Sequence, residues 1–217
     1  MKFIRLAILL LVSVPALAQD VPFAREVAEF RKQDSVSFPA SNQILLIGSS
    51  SFTIWKDVQD YFPGYPILNR AFGGSTLADV IRHADKVIYP YKPKQILVYC
   101  GENDLASSDK VTADTVISRF ETLFGLIRAK YPKVQVVFVS MKPSPSRVLL
   151  REKMLAGNDG IRKFLAAKKN TGYIDVYTEM LDDEGKPRQE LFLDDNLHMN
   201  KEGYKIWQRI IQPYLKK

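Results

Sequence analysis

Two histidines occur in the 217-residue sequence, His83 and His198, so a histidine acting as general base must be one of them. His198 closes the stretch Asp195-Asn196-Leu197-His198. One turn over that spacing brings the carboxylate to the ring's Nδ1, fixes the tautomer and leaves Nε2 to take a proton from a nucleophile. Alone, the D-x-x-H pattern arises by chance. Asp194 is the rival orienter, but its spacing is wrong by one residue. His83 stands with Asp79, Arg82 and Lys86 on the polar side of a helical pattern, and is read as a solvated surface histidine.

Three further stretches concentrate small, hydroxyl and amide side chains: Gly48-Ser49-Ser50-Ser51, the run Asn69 to Thr76 with Gly73-Gly74, and Gly101-Glu102-Asn103-Asp104. With an imidazole and a carboxylate, these types suit ester hydrolysis by a serine, which needs a nucleophile, a base, an orienting acid and oxyanion donors. By type alone each of the three serines qualifies as nucleophile. Gly73-Gly74 reads equally well as a plain turn, and Asn103 as a turn residue. Rival chemistries fare worse. The elbow G-x-S-x-G is absent, as are G-x-G-x-x-G and the phosphate-loop lysine pattern. Two distant histidines and the single cysteine, Cys100, do not make a zinc site, so neither metal nor cofactor is expected.

Parallel strands must position these groups. Gln43–Ile47, Pro66–Asn69, Gln95–Tyr99 and Val134–Ser140 are short apolar runs with little alternation, and Gly172–Val176 is a weaker fifth. Helical stripes separate them. Thr76–Ile88 carries Leu77, Val80, Ile81, Ala84, Val87 and Ile88, while Thr112–Lys130 carries Val116, Phe120, Leu123, Phe124 and Ile127. Glu152–Lys169 and Gly203–Tyr214 read as further helices, and Phe23–Lys32 as a short one. The alternation predicts a three-layer α/β sandwich on a parallel sheet of about five strands. Ligands bind such sheets at the carboxyl ends of the strands, where three of the four chemically rich stretches fall. Phe52 and Trp55 are read as core or pocket wall. The proline-spaced Lys142–Ser146 segment is either a border of the site or simply a rigid loop.

Hydrophobic residues make up 46% of the chain and charged residues 25%, which suits one globular domain. Residues 1–18 are set aside as a signal peptide: Lys2 and Arg5, an apolar run Leu6–Val14, then Pro15-Ala16-Leu17-Ala18 with small residues at the cleavage positions. That run is too short for a membrane anchor, so residues 19–217 are expected as a single exported domain, periplasmic or secreted. The formal charge of +7 is spread without a basic block, so no nucleic-acid partner is expected. Cys100 lies in an apolar run and reads as a small buried thiol.

The blocks Ile47-Gly48-Ser49-Ser50, Asn69 to Gly74, Gly101-Glu102-Asn103-Asp104 and Asp195 to His198, in that order over Gln43–Gly203, resemble the SGNH (GDSL-like) hydrolases. Ala71-Phe72-Gly73-Gly74-Ser75-Thr76 and Lys142-Pro143-Ser144-Pro145 look closest to the bacterial acylhydrolase branch that is similar to platelet-activating-factor acetylhydrolase catalytic subunits. The resemblance implies a flavodoxin-like three-layer fold and a serine esterase. Ser50 would be the nucleophile, His198 the base and Asp195 its orienter. Ser50 N–H, Gly74 N–H and the Asn103 amide would hold the oxyanion. Ser49 replaces the family's aspartate, and Asn196 stands where glycine is frequent. Ser49 and Ser51 are expected to bond nearby backbone. The absence of a long apolar insertion favours short acyl groups, such as acetyl, on a small-molecule or carbohydrate ester. An acyltransferase using the same site, and a non-catalytic carbohydrate-binding protein, are the alternatives; product analysis with added acceptors separates the first, and absence of turnover the second.

Overall fold

The computed structural model describes residues 21–217, so the leader expected over 1–18 lies outside the described residues. The chain runs through α1 (Ala24–Val36), β1 (Ile44–Gly48), α2 (Ser50–Ile54), α3 (Val58–Tyr61), β2 (Ile67–Asn69), α4 (Leu77–Arg82), α5 (Ala84–Val87), β3 (Gln95–Tyr99) and α6 (Glu102–Ser107). It continues through α7 (Ala113–Lys130), β4 (Gln135–Val139), α8 (Arg151–Ala166), β5 (Thr171–Ile174) and α9 (Lys201–Ile211).

The five strands form one parallel sheet in the order β2-β1-β3-β4-β5. Ile44 pairs with Ile67 on one side and Gln95 on the other, and Gln95 pairs onward with Gln135. Every residue of β1 and β3 is buried, because helices cover both faces. Alternate residues then point to opposite layers. Leu45 and Ile47 join Val80, Phe120 and Ile161 from α4, α7 and α8, whereas Ile44 and Leu46 join Phe52 of α2 and Trp207 of α9. Winding changes direction between β1 and β3, so their carboxyl ends flank a crevice.

Helix starts are written locally. Thr76 and Thr112 form reciprocal capping boxes with Asp79 and Thr115, and the Asn200 side chain accepts from Glu202 N and Gly203 N. Most expected elements stand within a few residues of their predicted bounds. The helix expected over Thr76–Ile88 is instead two, broken at His83. His83 is also not a solvated surface residue. It is 3% exposed, its Nε2 lies 2.7 Å from the Pro22 carbonyl oxygen, and its ring meets Phe72 edge-on. The physical reason is α1, which packs on α5 and covers the flank that would otherwise face water.

Candidate active site

Gly48 ends β1 with φ 125°, and an added Cβ there would stand 1.9 Å from the Tyr99 carbonyl oxygen. Only glycine lets the two strands stay this close while the chain turns out of the sheet. Ser49 still pairs across the strands, its N–H donating to Tyr99 O at 2.9 Å. Ser50 then opens α2, so its N–H lies in the first helical turn, where amides have no partner within the helix. The loop after β2 folds over the same turn: Phe72 N–H and the Ser75 hydroxyl both donate to Gly48 O at 3.0 Å. Gly74, exposed and with φ 81°, sits at the tip of that loop. Neither Ser50 N–H nor Gly74 N–H donates to another backbone group among the described residues.

Asn103 joins these pieces. It lies in the first turn of α6, beyond β3, and its Nδ2 donates to Ser49 Oγ at 2.8 Å and to Ser75 O at 3.2 Å. The turn around Ser50, left without the family's aspartate, is therefore braced by an amide from the neighbouring strand end. This corrects the expectation for the flanking serines: Ser49 Oγ bonds a distant side chain rather than nearby backbone, and the buried Ser51 Oγ has no hydrogen-bond partner among the described residues. Asp104, fully buried, accepts from Leu77 N at 2.9 Å and from Arg119 at 2.7 Å. Burial raises its pKa despite both bonds.

The late loop forms the other half. His198 Nδ1 lies 2.6 Å from Asp195 Oδ2, while Asp195 Oδ1 accepts from Leu197 N and His198 N, each at 2.9 Å. Burial alone would raise the Asp195 pKa, but bonds from the His198 backbone, the His198 ring and the Leu197 backbone outweigh it and hold the carboxyl at about 2. Among the described residues the His198 ring bonds Asp195, and Asp194 offers it no side-chain bond. Asn196 has φ 55°, a left-handed conformation that asparagine tolerates and glycine adopts freely, which accounts for either residue at this position. The loop is fixed from two directions. Ser146 N–H, beyond β4, donates to Asn196 O at 3.0 Å. On α9, Tyr204 OH donates to Ser51 O at 2.8 Å, and its ring stacks on Trp55 at 4.7 Å.

All five predicted site residues thus lie on segments that meet at the carboxyl ends of the sheet. Asp195 and His198 are in direct contact, and Asn103 is in contact with the residue before Ser50. The Ser50 hydroxyl makes no hydrogen bond to His198 among the described residues; such bonds are commonly long without substrate and tighten when it binds. Two partners were not foreseen. Ser75 supports both Gly48 and Asn103. Glu102, beside Asn103, accepts from Tyr99 OH at 2.6 Å and pairs with the buried Lys142 at 3.2 Å. Burial first, then Glu102, pushes the Tyr99 phenol well above its usual range. A lysine between apolar β4 and a proline was the available signal. Lys142 ties the start of its segment to the end of β3, and Ser146 N–H ties the segment on to the Asp195–His198 loop. Phe52 and Trp55 are core.

The family model of the GDSL-like lipase/acylhydrolase family matches residues 48–206. No curated protein matches the chain. Among solved structures, the chain is similar to a Streptococcus pneumonia protein provisionally described as a platelet activating factor, with TM-score 0.77 and 20% identity over 88% of this chain and 92% of that one. A GDSL-like lipase from Bacteroides thetaiotaomicron gives TM-score 0.74 and 18% identity over 87% and 96%. A carbohydrate esterase family 3 protein from Talaromyces cellulolyticus gives 0.61 and 15% over 81% and 96%. At these identities the likeness is one of fold.

Proposed function

Because the chain belongs to the GDSL-like lipase/acylhydrolase family, we propose that it hydrolyses carboxylic esters through Ser50, His198 and Asp195. The observation that carries the reading is the Asp195–His198 contact at 2.6 Å, reinforced by two backbone N–H groups on the same carboxylate. Ser50 Oγ attacks the ester carbonyl carbon and His198 Nε2 takes its proton. The developing oxyanion accepts from Ser50 N–H, Gly74 N–H and the Asn103 amide, which gives up its bond to Ser49 Oγ to do so. Breaking the ester C–O bond releases the alcohol, which leaves with the proton from His198. Water then repeats the sequence on the acyl-enzyme and frees the acid. The acyl group is short and the alcohol a small molecule or carbohydrate; the fold shared with a carbohydrate esterase supports the second part. The leader over 1–18 directs the enzyme to the periplasm or beyond.

Trapping with a fluorophosphonate probe tests this directly. The adduct is expected on Ser50; labelling of Ser49 or Ser51 instead, or none in an ester-hydrolysing preparation, would overturn the assignment. Asn103→Ala is expected to lose about 10²–10³ in kcat with a small change in KM, as for a donor used in the transition state. A pure KM effect removes that role. The lowered Asp195 pKa fixes a third outcome. A depressed carboxyl stays ionised until the pH falls through its folded value of about 2, so Asp195 keeps its charge across pH 4 to 8. The acid limb of kcat/KM in that window should therefore report one proton. A limb that takes up two contradicts the orienting role.

A further inference from the structure

Beside the catalytic loop, on the far side of Ser146, a cavity of about 200 Å³ opens between the start of α8, the segment after β5 and the turn around Gly185. It is smaller than drug-sized sites of about 300–1,000 Å³ and suits one charged group or a single sugar unit. Its lining combines Met154 with Ser144, Arg147, Arg151, Tyr177 and Lys186. Three of these carry positive charge. Lys186 is neutralised by Glu184 at 2.7 Å, but no carboxylate lies within ion-pair distance of Arg147 or Arg151 among the described residues. Ser144 is 1% exposed and its hydroxyl has no hydrogen-bond partner among the described residues. A buried hydroxyl without a partner costs free energy unless something supplies the missing bond.

The arginines reach the cavity from one short stretch of chain. A Cβ added to Gly185 would stand 3.7 Å from Arg151 Nη2, so this guanidinium spans the mouth from α8 to the facing turn. Burial raises the Tyr177 phenol's pKa, while beside it Arg151 lowers that pKa and Glu152 raises it. Guanidinium groups match carboxylate, sulfate and phosphate oxygens in a planar fork. The distance to the reaction centre is short in chain terms. Ser146, between Ser144 and Arg147, donates to Asn196, which lies between Asp195 and His198.

The geometry points to this cavity as a subsite for an anionic group on the ester substrate, held by Arg147 and Arg151 with Ser144 as a third donor. It rests on the esterase reading for its substrate, and names that substrate as an ester bearing a carboxylate, sulfate or phosphate.

The test compares acetate release from 3-O-acetylglucose, 3-O-acetylglucuronic acid and 3-O-acetylglucose 6-sulfate. The wild type should show at least about tenfold higher kcat/KM on one or both charged esters, as expected when paired charges contribute a kcal/mol or two; which one separates carboxylate from sulfate as the source. In the Arg147→Gln/Arg151→Gln variant the charged-to-neutral ratio should fall to about one, and Ser144→Ala should lower it by a few-fold without loss of thermal stability. A ratio near one in the wild type, or an unchanged ratio in the double variant, overturns the subsite. Calorimetric titration with inorganic sulfate separates this from failure of the esterase reading. If no ester is turned over, sulfate binding that disappears in the double variant upholds the subsite alone. Sulfate binding absent from the wild type, or kept by the double variant, then ends it.

Discussion

Ser50→Ala is expected to lower kcat on p-nitrophenyl acetate by about 10⁴–10⁶ while leaving the circular dichroism spectrum and melting temperature unchanged. The size follows from the mechanism: without the hydroxyl no acyl-enzyme forms, and only oriented binding and the oxyanion donors remain to accelerate attack by water. The silence in stability follows from the structure. Ser50 is half-buried and its hydroxyl makes no internal hydrogen bond among the described residues, so truncation leaves no partner there stranded. The adjacent serines supply the contrast. Ser51→Ala removes a buried hydroxyl that has no partner among the described residues and should be neutral or slightly stabilising, with activity kept. Ser49→Ala strips the acceptor from Asn103 and should cost activity moderately. Turnover at the wild-type level in Ser50→Ala, with the loss falling on another of the three, would end the proposed mechanism.

Gly48→Ala should be the most damaging single methyl group in the sheet. The added carbon would stand 1.9 Å from Tyr99 O and 2.7 Å from Tyr99 C, both backbone atoms held by the β1–β3 ladder. Nothing there swings aside as a side-chain tip would. The φ of 125° adds strain of about 1–3 kcal/mol for a residue with a Cβ, on top of overpacking of similar size. A loss of roughly 4 kcal/mol is a large part of a typical folding free energy of about 5–15 kcal/mol, so the midpoint of urea unfolding should move strongly downward. Gly64 is the control. Its φ is also positive, at 82°, but a Cβ there meets nothing within 4 Å, so Gly64→Ala should cost only its backbone strain. Equal effects at the two positions would show that the close approach to Tyr99 is not rigid.

The sheet was legible because strands buried on both faces read as unbroken apolar runs, and all five runs became strands. The helices after Thr76 and Thr112 were legible from their apolar stripes, and the structure adds reciprocal caps at both starts. What escaped was whatever depends on a distant partner. Helices α2, α3 and α6 are one or two turns long, too short to show a period, and are held by packing. His83 carried every local mark of a surface residue, yet it is covered by a segment about sixty positions earlier. The site divides in the same way. Asp195 and His198 could be paired from spacing because one turn contains both. The brace on Ser49 could not, since Asn103 lies 54 residues further on. The buried Lys142–Glu102 pair spans 40.

The hydrogen bond from Tyr204 to Ser51 closes a span of 153 residues. Its consequence is temporal. A polypeptide made from its amino end has the Ser50 turn early, yet His198 is brought to it only when α9 docks against that turn. Long-range contacts of this kind are the slowest to form. On the proposed mechanism, hydrolytic power therefore switches on only once this contact has closed.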